Sequence, residues 1–170
     1  MKKVIITISL VIPVLLVASL LYLLTSQDIE SLLVCSTSQE THSWARKTCQ
    51  YYLFHYRGTK KDIAELEKGT GLSFVLDDNL KYADFLIRKG ININKVSPVT
   101  GVTPLFAAVV ENNPKLVKYL LDNGAEITVK GDDKLLPHAM TPLELVNYLI
   151  QKNPNINRSA VKSLLETTAQ

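Results

Sequence analysis

Cys35 and Cys49 are the only cysteines in the chain. A thiol pair can close a disulfide, hold a metal or supply a nucleophile. The last two uses need company that is missing: there is no C-x-x-C, and no histidine stands at zinc-finger spacing from either residue. In an oxidising compartment the two would bond to each other, and closing a loop of this length contributes roughly 3 kcal/mol in the chain-entropy account. Ser43 with His55 would make a nucleophile–base pair, but no surrounding motif calls for one. Asp132 and Asp133 with His138 could ligate a metal; in so polar a run they read more simply as solvated loop residues. Glu65 and Glu67 stand two apart on an expected helix, so they do not face each other for paired-carboxylate work. The chain has no G-x-S-x-G, no H-E-x-x-H, no phosphate-cradling glycine loop and no dinucleotide fingerprint. The expectation is a protein that binds without turnover, with no catalytic residue, cofactor, metal or small-molecule substrate.

The elements that carry these residues follow a membrane-like leader. Lys2 and Lys3 precede Val4 to Leu24, a run without a charge. As a helix it just spans a hydrocarbon core of roughly 30 Å, and Pro13 inside it is tolerated in lipid. The two lysines favour a cytoplasmic N-terminus, which puts the rest of the chain on the far side. A cleaved signal peptide is the alternative. The apolar run exceeds the usual signal-peptide core and no A-x-A site follows, so a retained anchor over residues 1–26 is the reading taken. Leu32-Leu33-Val34-Cys35 is a poor lipobox, because Val34 fills the position that needs a small residue. Without Lys2 and Lys3, 17 basic residues face 16 acidic ones. That near-balance, with no basic run, excludes a nucleic-acid partner.

Thr103-Pro104-Leu105-Phe106-Ala107-Ala108 opens one helix, and Leu116, Val117, Leu120 and Leu121 form an apolar stripe on a second, closed by Gly124-Ala125. Thr103 can cap a helix whose first turn holds Pro104, and Gly124 can end the second in a left-handed cap. Shifting the chain by 34 residues lays Leu72–Ile93 on Phe106–Ile127, with Gly90 on Gly124 and Leu86 on Leu120. A third copy opens at Thr141-Pro142-Leu143; its second helix is predicted over Ser159–Thr167 with Leu164 and Leu165 buried. This pattern resembles the ankyrin repeat. The resemblance implies an all-α fold: a short solenoid of about three repeats over residues 69–170, the outer ones degenerate because end repeats face water.

Between anchor and repeats, residues 27–68 do not match that pattern and are predicted to form N-terminal capping helices holding the disulfide: one from Asp28 to Val34, one from Thr41 to Tyr56, one from Lys60 to Lys68. The aromatic residues of the second, Trp44, Tyr51, Tyr52, Phe54 and Tyr56, are expected in a core.

Ankyrin-like stacks bind proteins through hairpin tips and inner helices. Carried across residue by residue, the resemblance implies partner-binding positions at Val99, Thr100, Val102, Val110, Glu111 and Lys130, and at Leu76, Asp77 and Val96 in the preceding copy. The histidine that follows T-P-L in the family is Phe106 here and Glu144 in the third copy, so less regular hairpins are expected. The connection from Gly124 to Thr141 is four residues longer than that from Gly90 to Thr103. Its surplus carries Lys130, Asp132, Asp133 and Lys134, either as a contact element or as a tolerated insertion. Leader, anchor and few degenerate repeats together are similar to bacterial envelope immunity proteins paired with type VI secretion lipase effectors. The resemblance implies an anchored periplasmic domain that binds and neutralises a cognate toxin. A periplasmic scaffold or assembly factor for another envelope protein is the alternative.

Overall fold

A computed structural model of the chain describes residues 2–69, 71–72, 80–131 and 138–169, with side chains from residue 12 onward. Leu76 and Asp77, and with them Asp132, Asp133 and Lys134, lie outside the described residues. The described chain is helical: α1 Lys2–Ser26, α2 Ile29–Thr37, α3 Ser43–Tyr56, α4 Lys60–Leu66, α5 Leu80–Arg88, α6 Pro104–Val110, α7 Pro114–Asp122, α8 Pro142–Lys152 and α9 Ser159–Thr168. The chain divides into two compact units, Met1–Gly58 and Thr59–Gln170.

In the first unit, Asp28 caps α2 by accepting from the Ser31 backbone N–H at 2.6 Å. Helices α2 and α3 pack as a pair around Ile29, Leu32, Leu33 and Leu53, all fully buried. The Cys35–Cys49 disulfide joins them, with Cα atoms 6.0 Å apart. The aromatic residues of α3 are not in this core. Trp44 is 65% exposed, Tyr51 58% and Tyr56 61%. The reason is register: Cys49 and Leu53 share the buried face of α3, and a 3.6-residue period puts Trp44, Tyr51 and His55 on the opposite one. Along α1, Ile12, Val14 to Val17 and Leu20 to Leu23 are all exposed, so its apolar surface has no single buried stripe. Among the described residues no single helix is long and apolar enough to cross a membrane; Ile12–Ser26 and Ile29–Thr37 pass that test only as a pair bent by 112°.

In the second unit, each intact copy is a helix–turn–helix. Thr103 caps α6 by accepting from the Phe106 N–H at 3.2 Å, with Pro104 in its first turn. Asn112, in the left-handed region at φ 56°, turns the chain into α7, which Asn113 caps by accepting from the Leu116 N–H at 3.1 Å. Gly124 at φ 90° and Gly90 at φ 91° close α7 and α5 where a side chain would be strained. Copies stack like on like: α6 packs on α8, and α7 on α9. Leu105, Phe106, Leu116, Leu120, Leu145 and Leu165 fill the resulting core, each at most 2% exposed. In α9 the buried pair is Val161 and Leu165, not Leu164 and Leu165. Leu164 precedes Leu165 by one residue, about 100° around the helix, and so falls about 60° beyond Val161, past the face that α9 offers to the stack.

Candidate functional site

The best-defined surface lies on the hairpin before α6. Ser97, itself buried, organises it. Its N–H donates to the Val102 carbonyl at 3.0 Å, and its carbonyl accepts from the Gly101 N–H at 2.8 Å. The hydroxyl accepts from the Val99 and Thr100 N–H groups at 3.2 and 3.3 Å and donates to the Gly69 carbonyl at 3.0 Å. One small polar side chain thus satisfies the backbone of the tip. The tip holds outward what it does not bury: Val99 is 66% exposed, with Thr100 exposed beside it and Val96 partly so. At the far end of α6, Val110 is 45% exposed and Glu111 follows it into solvent.

Val102 corrects the sequence expectation. It is only 7% exposed, so it is not a surface position. It immediately precedes the Thr103 cap, where an apolar side chain packs back on the helix it introduces.

Successive tips are tied by side-chain amides instead of the missing histidine. The Asn94 carbonyl oxygen accepts from the Glu126 N–H at 2.8 Å, and its amide donates to the Gly124 carbonyl and the Glu126 carboxylate, both at 3.2 Å. Glu67 accepts from the Asn92 N–H at 2.8 Å. These braces answer the expectation of less regular hairpins.

At the histidine position of the middle copy, Phe106 is buried and its ring packs on Gly131 so closely that a Cβ there would stand 2.8 Å from Cδ2. Gly131 and Met140 exchange both backbone hydrogen bonds, at 2.9 and 3.0 Å, which closes the lengthened connection at its base. Lys130 is exposed on the near side of that bridge. In the third copy Glu144 forms a capping box with Thr141: it accepts from the Thr141 N–H at 2.8 Å, while the Glu144 N–H donates to the Thr141 hydroxyl at 3.3 Å. Hydrogen bonds from the Thr141 N–H and hydroxyl hold its carboxyl below the ordinary glutamate range, with lesser help from the charges of Lys130 and His138.

Arg158, just before α9, was not foreseen. It is 7% exposed. Its guanidinium donates to the Val109 carbonyl at 2.8 Å and, from both terminal nitrogens, to the Val110 carbonyl at 3.3 Å. It thereby adds a charged donor at the C-terminus of α6, where the Val109 carbonyl also accepts from the Asn112 N–H at 3.1 Å. The Asn112 amide donates to the Asn157 carbonyl at 3.0 Å alongside. The sequence signal was weak: one basic residue in a polar connection, between Asn157 and Ser159.

The Ser43–His55 pair has no geometry for nucleophilic chemistry. Ser43 and His55 sit near opposite ends of α3, about 18 Å apart along its axis, and His55 Nδ1 lies 2.8 Å from the Tyr51 carbonyl oxygen. Among the described residues no three His, Cys, Asp or Glu side chains cluster to hold a metal. On the opposite side of the stack a shallow cleft of about 220 Å³ runs between α7 and α9, past Lys118, Leu121 and Leu164.

Comparison with known proteins agrees with this architecture. The family described as ankyrin repeats (three copies) matches residues 43–131. The match therefore begins within α3, inside the segment expected to lie outside the repeats, and ends before the Thr141 copy. The ankyrin repeat and SOCS box protein 6 of Pongo abelii is 37% identical over 76 residues, which is 45% of this chain and 17% of that protein. Those of Homo sapiens and Mus musculus are 36% and 34% identical over the same length. The matched stretch is thus about a sixth of these relatives. Capped helix pairs stacked like on like, glycine-closed and tied tip to tip, together with a family match over half its length, make the chain a member of the ankyrin-repeat family and a protein-interaction module.

Proposed function

We propose that this protein is an N-terminally anchored immunity protein: its repeats bind a cognate type VI secretion effector, a lipase-type toxin, on the periplasmic side of the inner membrane and neutralise it. The observation that carries the binding step is the exposure of Val99 and Val110 beside a tip whose backbone is already satisfied. Apolar side chains held outward on a rigid support lose little entropy when a partner covers them. Exposed Glu111 and Lys130 add charge of both signs, which suits register and on-rate more than affinity.

Two features support the placement. The apolar side chains of α1 are exposed over consecutive positions, which suits lipid on every side better than one protein face. The charge-free run from Val4 to Leu24 is the sequence feature on which the anchor rests. The disulfide belongs to an oxidising compartment. Protection is by stoichiometric binding without turnover.

The test begins with the neighbouring genes. An adjacent secreted effector supports this reading; an adjacent envelope enzyme that needs assembly supports a periplasmic scaffold. Titrating the full chain against the purified effector should then inhibit it and saturate at a fixed ratio. Silencing of many effector molecules by a sub-stoichiometric amount would refute binding as the mechanism.

A further inference from the structure

The exposed aromatic face of α3 calls for an explanation that ankyrin binding does not provide. Trp44, Tyr51 and His55 form one solvent-facing stripe, and Tyr52 and Tyr56 continue it around the last two turns. The rings at the C-terminal end of α3 are in mutual contact: Tyr51 on His55 at 4.1 Å between centroids, Tyr52 on Tyr56 at 5.4 Å, and Tyr51 edge-on to Tyr56 at 6.2 Å. An isolated aromatic side chain at a surface needs no explanation, but a contiguous patch of this kind marks an interaction surface. These residue types combine an apolar body with a polar tip, so they suit a boundary between an apolar and a wet medium.

The position of the patch identifies the medium. The Arg57 guanidinium, directly after α3, donates to the Gln27 carbonyl at 2.8 Å. Gln27 is the first residue after α1. The aromatic end of α3 is therefore tied to the end of the apolar helix, where a spanning α1 leaves the hydrocarbon. The bend of 112° between α1 and α2 lays α2, and α3 packed on it, near the membrane plane when α1 stands along the normal. Val34 on α2 is also exposed. We infer that the disulfide-closed α2–α3 hairpin lies on the outer leaflet of the bilayer, with Trp44, Tyr51, Tyr52 and Tyr56 at the level of the lipid headgroups. This rests on the reading of α1 as a membrane anchor.

Trp44 is the only tryptophan, so its fluorescence reports this face alone. The full chain would be reconstituted into vesicles of phosphatidylcholine with a minority of phosphatidylglycerol. Lipids brominated near the headgroup should quench Trp44 several-fold more than lipids brominated near the chain terminus, and aqueous iodide should quench it less than in the detergent-free unfolded chain. The same order is expected for a Tyr51→Trp probe in a Trp44→Phe background, two turns along the same face. Resistance of the chain to alkaline extraction is measured in parallel. If the chain resists extraction while both probes are open to iodide and untouched by brominated lipid, the anchor stands and the interfacial hairpin is refuted. If both probes become protected only when a protein partner is added, the face belongs to that partner and the inference fails. Release of the chain by alkali overturns anchor and inference together.

Discussion

Replacing Arg158 with alanine tests how the third copy is held to the second. The side chain is 93% buried and makes its hydrogen bonds to two carbonyls at the end of α6. Hydrogen bonds from a charged donor contribute about 1.5–3 kcal/mol, and a cation at a helix C-terminus adds about 0.3–1 kcal/mol. Removing a buried charge returns part of its desolvation cost, all the more because Nε has no partner among the described residues. The expected net loss is therefore about 2–3 kcal/mol, less than the upper end for a core truncation. Repeat stacks are nearly one-dimensional, so the loss should fall mainly on α8 and α9. Urea unfolding followed by circular dichroism gives the total, and amide exchange gives the location. Arg158→Lys should recover less than half, because an ammonium lacks the second nitrogen and the planar fork with which the guanidinium meets the two carbonyls. A change under about 0.5 kcal/mol, or protection lost equally in α5 and α9, would show that water replaces the guanidinium and that the copies are held by apolar contact alone.

Three further outcomes follow from named groups. Glu144 is held below the ordinary glutamate range by its capping box; a depressed folded value means that its contribution is full above the unfolded value and lost as pH falls through the folded one, so Glu144→Gln should lower the melting temperature slightly at neutral pH, and the difference from the parent chain should vanish as pH falls through the folded value. The Tyr119 hydroxyl is buried with no partner among the described residues, and desolvation foremost pushes its pKa up, with Asp84 adding to the shift; Tyr119→Phe should keep or raise stability, and a fall of more than about 1 kcal/mol would reveal a hydrogen bond to water. Val99→Asp and Val110→Asp should weaken effector binding at least tenfold by calorimetry with little change in melting, whereas Val102→Asp should unfold the hairpin because it buries a carboxylate.

How much of this was legible in the sequence depended on whether a signal was local. Thr103, Pro104, Gly90 and Gly124 each act within one turn of their own backbone, so these cap and closing positions could be read directly. Predicted α9 ended one residue short of the observed Thr168. Periodicity located the stripe of Leu116, Val117 and Leu120 but could not assign a face to α3, where Trp44, Tyr51, Tyr52, Phe54 and Tyr56 are spread around the helix; only the disulfide and Leu53 decide it. The braces were invisible for a different reason. Asn94 to Glu126 and Arg158 to Val109 join positions 32 and 49 residues apart, and such contacts appear only once the stack brings them together. Val102 was assigned to the surface by counting along the repeat, whereas its place next to a cap buries it.

Phe106 shows how a departure from the family pattern is absorbed, and it can be tested at its partner. Where a polar ring would hydrogen-bond the neighbouring loop, an apolar ring must be covered by it, and the covering backbone has to come close. Gly131 does so: an added Cβ would meet Phe106 Cδ2 at 2.8 Å, Cε2 at 2.9 Å and Cγ at 3.0 Å. Phe106 is 1% exposed, so its ring has little room to move, and Gly131 is fixed by two hydrogen bonds to Met140. Gly131→Ala should therefore cost about 1–3 kcal/mol, the range for overpacking a filled core, although alanine is otherwise favoured over glycine by unfolded-state entropy. Phe106→Leu alone should also destabilise by loss of volume. The two should not add: with the ring gone the alanine has space, so the double variant should be more stable than the sum of single losses by about 1 kcal/mol or more. Additive losses in denaturant unfolding would mean that Gly131 is required by its own backbone, and that the lengthened loop is closed without reference to Phe106.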